Sequence, residues 1–378
     1  MARGFQGFRD FMGAPVYLDY NATARIRPEV VEAMSAQMAE VGNASSVHAA
    51  GRAARAKVEA ARRQVAALVG AAPDQVVFTG GGTEADNQVL RPADPARTFV
   101  CAIEHPAVLD ACPGAARVPV TPDGVIDLAA LEALLAAAET PALVALMLAN
   151  NETGVIQPVA EAAVLAHRFG AALHCDAVQA VGKIPVDFAA LGVDTLALTG
   201  HKFGGPQGVG ALIVRDADAA ECLMRGGGQE RGLRGGTENV AAIVALGVAA
   251  RIAAERMDRY AALADLRDRL EARLRQSTPG FRVFGDAVPR LPNTSKMMMP
   301  GVSSETQVMS FDLAGIAVSA GSACSAGRVE PPYVLTAMGV PDAEALCALR
   351  VSLGWDTDEA DIDRFVEVWN EIFARAGA

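Results

Sequence analysis

The stretch ALTGHKFGGPQGVGALIV, residues 197–214, contains two apolar runs, and between them lie one lysine, one histidine and five glycines. Short apolar runs bounded by turn residues are typical of buried strands. Lys202 follows the first run directly, and the glycines let other groups approach it closely. A lysine in a partly dry site loses its proton near neutral pH and becomes a nucleophile towards aldehydes. A solvated loop lysine is the alternative interpretation.

Short apolar runs that end in polar residues recur along the chain, with helical stretches between them. The runs are QVVFTGGG (75–82), TFVCAIEHP (98–106), PALVALMLANNETG (141–154) and AALHCDAVQ (171–179). Strands that are apolar on both faces and alternate with helices predict an α/β fold, with a mostly parallel sheet covered by helices. Open α/β sheets bind ligands at the C-terminal ends of their strands. The polar residues expected to meet at that rim are Thr83, His105, Asn151, Asp176, His201 and Lys202.

The character of the sequence changes after about residue 240, where a long helical run leads into shorter strand-like pieces. This change predicts a second, smaller α+β domain. We expect a large domain over residues 16–245 and a small domain formed by residues 1–15 and 246–378.

Composition restricts the class of protein. The chain has 378 residues, of which 51% are hydrophobic, and its net charge is −11. An acidic protein is not expected to have nucleic acid or an anionic membrane as its main partner. No apolar run is long enough to predict a transmembrane helix, and the N-terminal residues lack the features of a secretory signal. The six cysteines are widely spaced without a C-x-x-C pair, which indicates reduced thiols and a cytoplasmic protein. The histidine spacing predicts no metal site.

Asp176 strengthens the interpretation of Lys202. Pyridoxal phosphate needs a lysine for its Schiff base and a carboxylate beside its ring nitrogen, which keeps the ring an electron sink. Asp176 ends an apolar run one strand before Lys202, and Gln179 follows three residues later, where it could meet the phenolic oxygen of the ring. A helix cap or a turn is the alternative role of Asp176.

The segment TGGGTEADN, residues 79–87, predicts a phosphate site, because glycines lead into a helix that opens near Thr83. It also fits a loose dinucleotide fingerprint at Gly80, Gly82 and Ala85, with Glu104 closing the next strand. A nicotinamide-dependent oxidoreductase therefore stays open at this point. His105 could stack on a flat heterocycle, or it could be an ordinary loop histidine. Asn151 could be a hydrogen-bond donor at the same rim, or it could be an ordinary turn residue.

Three further features complete the set of candidates. Cys324 lies in a run of serine, alanine and glycine, where a thiol can act as a nucleophile or be a linker residue without a role. Arg350 is the one charged residue of an apolar strand, and it can hold a substrate carboxylate or form an internal salt bridge. The Gly/Arg segment 225–236 is short and lies in an acidic chain, so a phosphate loop that presents Thr237 is preferred over nucleic-acid binding.

Eight motifs follow one another along the chain: VYLDYNATA (16–24), GNASSVH (42–48), VFTGGGTEADN (77–87), NNETGVIQP (150–158), HCDAVQAVGK (174–183), TGHKFGGPQGVGAL (199–212), GGGQERGLRGGTEN (226–239) and SAGSACSAGRVEPPYVL (319–335). Taken together, these ordered motifs resemble the cysteine desulfurases, in the class V branch of fold-type I pyridoxal phosphate enzymes. The short, serine-rich cysteine loop is similar to the branch of the nitrogenase and housekeeping iron–sulfur enzymes.

The resemblance implies a role for each candidate. Lys202 would bind the cofactor covalently, His105 would stack on its ring, Asp176 would pair with the ring nitrogen, and Asn151 and Gln179 would flank the ring. The phosphate would be held by Gly82, Thr83, Thr199, Gly200 and His201, aided by Thr237 across a homodimer interface. Arg350, with Asn151, would seat the carboxylate of L-cysteine. Cys324 would take the substrate sulfur as a persulfide, release alanine and pass the sulfur to an acceptor protein for iron–sulfur cluster assembly or thiolation.

The sequence departs from the family pattern at Ala24, Ala44, Gln229 and Trp355. None of these departures replaces one of the catalytic side chains named above, but they bear on which acceptor protein docks. A selenocysteine lyase and a class V aminotransferase are the alternatives within this cofactor class, and an aminotransferase needs no nucleophilic thiol. A sulfur-relay or binding protein without enzymatic activity is the third possibility.

Overall fold

A computed structural model describes residues 15–216, 221–321 and 330–377 of the chain. Cys324 lies outside these residues. The described strands are β1 (Val16–Tyr17), β2 (Val76–Thr79), β3 (Thr98–Cys101), β4 (Ala116–Val118), β5 (Ala142–Ala145), β6 (Ala171–Asp176), β7 (Thr195–Thr199), β8 (Gly210–Val214), β9 (Arg282–Val283), β10 (Thr294–Met298), β11 (Ile316–Ala317) and β12 (Ala348–Ser352).

Helices occupy most of the segments between the strands. The described α-helices are α1 (Pro28–Met38), α2 (Ala49–Leu68), α3 (Gly82–Leu90), α4 (Pro106–Leu109), α5 (Leu128–Ala137), α6 (Val159–Arg168), α7 (Phe188–Leu191), α8 (Val240–Glu255), α9 (Met257–Ala261), α10 (Leu263–Ser277), α11 (Ser304–Leu313), α12 (Tyr333–Ala337), α13 (Asp342–Ala345) and α14 (Glu359–Ala376). None of them combines the length and the apolar character that crossing a lipid bilayer requires.

The main sheet has seven strands in the order β2-β8-β7-β6-β5-β3-β4. Strands β3 to β7 run parallel to their neighbours, whereas β8 runs antiparallel to both β7 and β2. The ten residues 200–209 between β7 and β8 are too few for a crossover helix, so the chain turns back on itself there. The predicted mostly parallel α/β sheet is confirmed, and the stretch that holds Lys202 is its antiparallel return.

Helices α2 and α8 pack against each other on one face of this sheet. In α2 the buried residues include Ala54, Val58, Ala61 and Val65, which recur every three or four positions. This spacing puts them on one side of the helix, where they join the largest apolar core.

A second core surrounds the small antiparallel sheet β12-β10-β9. Phe311 of α11 stacks on Phe365 of α14, with ring centroids 4.6 Å apart, and Trp369 is fully buried beside them. Strand β1 pairs with β11, and Leu18 belongs to this second core. The described part of the chain therefore starts at this second core and then crosses to the large sheet. The boundary between the two domains stays a prediction.

Candidate active site

A cavity of about 200 Å³ lies at the rim where β3, β5, β6 and β7 end. Parallel strands bring their C-terminal ends to the same edge of a sheet, so residues distant in sequence meet there. The residues predicted from the sequence that line this cavity are Gly82, Thr83, His105, Asn151, Asp176, Gln179, Thr199, His201 and Lys202. Gly200, also predicted, does not line the cavity, and a Cβ atom there would lie 3.0 Å from Leu246 Cδ1.

The first turn of α3 lines one end of the cavity through Gly82 and Thr83. The first N–H groups of a helix have no partner within the helix, and the helix dipole adds partial positive charge. A Cβ atom at Gly82 would lie 2.6 Å from Val178 Cγ2, so only glycine leaves this end open. His201 beside it is neutral at pH 7, because burial lowers its pKa to about 4. This end of the cavity has the properties of a phosphate site.

Lys202 also lines the cavity, and its amine donates to the main-chain oxygens of Asn21 at 2.6 Å and Ala22 at 2.9 Å. Burial, and then the positive charge of Arg350, lower the pKa of Lys202 to about 8. A substantial fraction of the amine is therefore uncharged at mildly alkaline pH. An uncharged lysine that faces a cavity is the nucleophile that an aldehyde requires.

Asp176 lines the same cavity and is buried. Its Oδ1 accepts a hydrogen bond from the Val178 N–H at 2.8 Å. Burial raises the pKa of Asp176 to about 7. A carboxylate that is costly to ionise alone gains most from a positive group, such as a protonated ring nitrogen. His105 caps α4, because its Nδ1 accepts from the Ala107 N–H at 3.1 Å, which leaves Nε2 as the protonated nitrogen of the neutral ring.

A buried pair close to Asp176 was not identified by sequence analysis, and one of its members, Asp86, also lines the cavity. His174 precedes Asp176 by two residues on β6, and its Nε2 is 3.1 Å from Asp86 Oδ1, while its Nδ1 is 2.8 Å from Thr195 Oγ1. Burial raises the pKa of Asp86 to about 8 and lowers the pKa of His174 to about 4. At neutral pH the pair is therefore largely uncharged. The signal in the sequence was the i, i+2 spacing, which puts His174 and Asp176 on the same face of one strand.

Lys183 is a second residue that sequence analysis missed. It is buried, and its amine donates to Gln179 Oε1 and Asn21 Oδ1, both at 2.7 Å. A lysine can only donate, so these atoms must be the two amide oxygens. The amide nitrogen of Gln179 is thereby directed away from Lys183, and it donates to Asn21 O at 2.9 Å. Lys183 follows Gln179 by four residues, the separation at which two side chains on one helical turn meet.

Arg350 lies beside the cavity on β12, and its Nη1 donates to Asn151 O at 3.1 Å. Its Nη2 forms an ion pair of 2.6 Å with Asp19, a residue that sequence analysis did not single out. The Nε of Arg350 and the Oδ1 of Asn151 are both buried without a partner among the described residues. Arg350 therefore has an internal salt bridge and still has a donor available towards a bound carboxylate.

Thr237 does not line this cavity. It lies in a separate recess of about 170 Å³, together with Gly80, Arg234 and Asn239. Any contact between Thr237 and the contents of the cavity would have to come from a second copy of the chain, as the sequence analysis expected. This contact stays a prediction.

The residues present fit pyridoxal phosphate. One cavity brings together an amine for its aldehyde, a buried carboxylate for its ring nitrogen and a helix N-terminus for its phosphate. The unpartnered Asn151 Oδ1 adds a polar contact for an aromatic ring with substituents.

Glu104, proposed for a dinucleotide, is fully buried, and its Oε1 accepts from the Met147 N–H at 2.7 Å. It therefore faces no ligand space. In the described part of the chain no three His, Cys, Asp or Glu side chains are grouped to hold a metal ion.

Comparisons with known proteins agree with this geometry. Residues 16–365 match the family model "Aminotransferase class-V". A cysteine desulfurase of Cereibacter sphaeroides is 46% identical over 93% of this chain and 94% of its own. The IscS-like cysteine desulfurase of Mycobacterium tuberculosis is 42% identical over 95% of this chain and 96% of its own.

Solved structures agree as well. A NifS-like protein from Rickettsia africae superposes with a TM-score of 0.89 at 36% identity, covering 95% of this chain and 99% of that one. A structure described as SspA in complex with cysteine has a TM-score of 0.77 at 30% identity, and the match covers 89% of this chain and 98% of that one. The chain belongs to the class-V aminotransferase family and, within it, to the cysteine desulfurases, which are pyridoxal phosphate-dependent enzymes.

Proposed function

We propose that this enzyme removes sulfur from L-cysteine, releases L-alanine and retains the sulfur as a persulfide on Cys324. The observation that carries the proposal is the convergence of the Lys202 amine and the Asp176 carboxylate on one cavity, with Arg350 at its edge. When bound, pyridoxal phosphate supplies an electrophilic carbon and a ring that accepts the electron pair released during the reaction.

The residues of the chain bind the cofactor and move protons. Lys202 would hold the aldehyde covalently, and its free amine would move a proton at the substrate carbon. Asp176 would keep the ring nitrogen protonated, and His105 would pack against the ring. The first turn of α3, with Thr199, Gly200 and His201, would hold the phosphate. Arg350 and Asn151 orient the substrate through its carboxylate.

The sulfur transfer balances in atoms and electrons. The thiolate of Cys324 attacks the sulfur of cysteine, the carbon–sulfur bond breaks, and the carbon takes up a proton to become the methyl group of alanine. The two sulfur atoms are oxidised to the persulfide level, and the carbon is reduced. A sulfur-acceptor protein, either an iron–sulfur scaffold or a thiolation protein, then takes the outer sulfur. We further propose a homodimer and a cytoplasmic location, in which the described free cysteines stay reduced.

The test is a single turnover of the holoenzyme with L-cysteine, without reductant. We expect one alanine per active site and a mass increase of one sulfur atom on the Cys324 peptide. Cys324→Ala is expected to keep the cofactor but to form neither product. Cys222→Ala is the matched control, because Cys222 is a free thiol that lines no part of the cavity. Alanine formation by Cys324→Ala would refute the role of that thiol.

A selenocysteine lyase is distinguished in the same assay. Comparable turnover of L-cysteine and L-selenocysteine at equal concentration would show that the enzyme has both activities. Turnover of L-selenocysteine alone would show that it is a selenocysteine lyase and would refute the proposal. An aminotransferase would instead convert the cofactor to its amine form and release a keto acid, which the absorbance spectrum reports.

A further inference from the structure

A second cavity, of about 220 Å³, lies between the start of α1 and the loop that follows β12. It shares no lining residue with the cofactor cavity. Three arginines, Arg27, Arg256 and Arg259, line it together with Trp355 and other residues, and no acidic residue lines it. We call it the arginine recess. This grouping puts three positive charges around one small space.

Arg27 is the unusual member of the arginine recess. It is only 5% exposed, and within the described ranges its guanidinium has no hydrogen bond or ion pair. Its Nε is buried without a partner, and its one close polar contact is the ring of Trp355, 4.8 Å from the guanidinium carbon. Burial, and then the charge of Arg256, lower the pKa of Arg27. An arginine stays charged even so.

A buried charge without a partner is strongly unfavourable, and proteins pair such charges or expose them to solvent. The neighbouring arginines do not relieve this cost. Arg256 has an ion pair of 3.2 Å with Glu29, and Arg259 is exposed with no partner among the residues the structure describes. The arginine recess therefore has the charge, the donors and the space for an anion.

We propose that the arginine recess binds a small oxyanion, namely phosphate or the phosphate group of a monoester. Guanidinium groups bind the oxygens of phosphate in pairs. Because Arg256 is already paired with Glu29, the two remaining positive charges, on Arg27 and Arg259, match the double charge of phosphate. The proposal does not rest on the proposed desulfurase activity, because binding is measured without cysteine.

The experiment is a calorimetric titration of the holoenzyme with inorganic phosphate at constant ionic strength, balanced with chloride. Bound pyridoxal phosphate keeps the other phosphate site filled. We expect one phosphate per chain, and at least a tenfold weaker affinity in Arg27→Met and in Arg259→Gln, since each loses a hydrogen-bonding charge. Arg259 is exposed, so its variant retains the fold. Arg55→Gln is the matched control, because Arg55 is an exposed arginine on α2 away from the recess, and its variant is expected to bind phosphate normally.

A titration with glycerol 3-phosphate distinguishes the two sources of the anion. Equal or tighter binding than that of phosphate identifies monoesters as ligands, and weaker binding identifies free phosphate. Both results support the site. No binding by the unmodified protein, or equal binding by all three variants, would overturn it.

The stability of Arg27→Met gives a second, independent readout. If Arg27 serves only to stack on Trp355, the variant is less stable than the unmodified protein in phosphate-free buffer, and this result would contradict the proposal. If the charge of Arg27 has no partner until an anion binds, replacing Arg27 by an apolar side chain of similar length leaves the stability in phosphate-free buffer unchanged or increases it. Phosphate then raises the melting temperature of the unmodified protein only.

Discussion

At the scale of single residues, the proton on Lys202 controls how the cofactor is captured. Burial and the charge of Arg350 lower the pKa of this amine to about 8, and only the uncharged amine attacks an aldehyde. The reactive fraction therefore increases as pH rises through 8 and is lost below it. We expect cofactor-free protein to capture pyridoxal phosphate covalently with a rate that increases with pH around a midpoint near 8. Borohydride quenching at intervals, followed by mass spectrometry of the Lys202 peptide, measures this rate.

The same assay tests the cause of the lowered pKa. Arg350→Gln removes the nearby positive charge, so the pKa of Lys202 rises and the midpoint moves to higher pH. Arg25→Gln is the control, because Arg25 is a surface residue that pairs with Asp356. It is expected to leave the midpoint where it was. A rate that does not change with pH in the unmodified protein would contradict the assigned pKa.

Lys183 does not line the cofactor cavity, and it holds Gln179 and Asn21 by hydrogen bonds, so it is a positioning residue. In Lys183→Met the Gln179 amide is free to turn over, and the donor proposed for the phenolic oxygen of the cofactor is lost in part. We expect a shifted visible absorption band and kcat lowered by about tenfold, equivalent to about 1.4 kcal/mol, with a smaller change in KM. Lys57→Met is the control, because Lys57 pairs with Glu40 at the surface.

A double variant decides whether Lys183 works through Gln179. Residues that act as one unit are not additive. Gln179→Leu alone is expected to shift the absorption band, and adding Lys183→Met is expected to shift it no further. Additive shifts would show that Lys183 affects the cofactor by another route.

At the scale of elements, a buried ion pair joins the large sheet to the small one. Lys296 of β10 lies 3.0 Å from Glu152, which is in the loop after β5, and both side chains are almost fully buried. Lys296 also donates to Ala320 O at 2.7 Å. Removing one member of a buried pair leaves an uncompensated charge, and this loss typically costs about 3–5 kcal/mol. We expect Lys296→Met to lower the free energy of unfolding by that amount, measured by urea denaturation followed by circular dichroism.

The double variant Lys296→Met with Glu152→Gln is expected to recover most of this loss, because no buried charge is left unpaired. Arg364→Met is the surface control, since the Arg364–Glu367 pair is largely exposed and is worth less than about 1 kcal/mol. If Lys296→Met and Arg364→Met lowered the free energy of unfolding by similar amounts, the burial of the Lys296–Glu152 pair would have no energetic effect.

The elements also show what the sequence can predict. Strands β3, β5, β6 and β7 are short apolar runs followed by polar residues, so their alternation with helices and the meeting of His105, Asp176 and Lys202 at one rim were visible in local patterns. The contacts of Asp19 and Asn21 could not be predicted from such local patterns. Asp19 pairs with Arg350, and the Asn21 N–H donates to Ser352 Oγ at 2.9 Å, across more than 300 residues of chain. No local periodicity encodes a contact of that range, and the same holds for the unpaired charge of Arg27.

At the scale of the whole molecule, the placement of Thr237 bears on the assembly. Thr237 lies in a recess apart from the cavity that contains Lys202, so one chain alone does not bring the two together. In the proposed homodimer, Thr237 of one subunit contacts the phosphate held by its partner. A carboxylate at this position would repel that phosphate. Thr237→Asp is therefore expected to lower the affinity for pyridoxal phosphate by at least tenfold, measured by equilibrium binding to cofactor-free protein.

Mixed dimers separate action across the interface from action within one chain. A dimer in which both chains have Lys202→Ala, or both have Thr237→Asp, is not expected to bind pyridoxal phosphate covalently as the unmodified enzyme does. If Thr237 acts across the interface, a dimer of one Lys202→Ala chain and one Thr237→Asp chain has one site with both defects and one site with none. We expect such dimers, separated by two affinity tags, to give pyridoxyl-Lys202 after borohydride at half the yield of the unmodified enzyme. If Thr237 acts within its own chain, each site keeps one defect and the yield does not recover. Because the two outcomes differ in which subunit contributes the hydroxyl, the yield identifies whether the active site is shared between subunits.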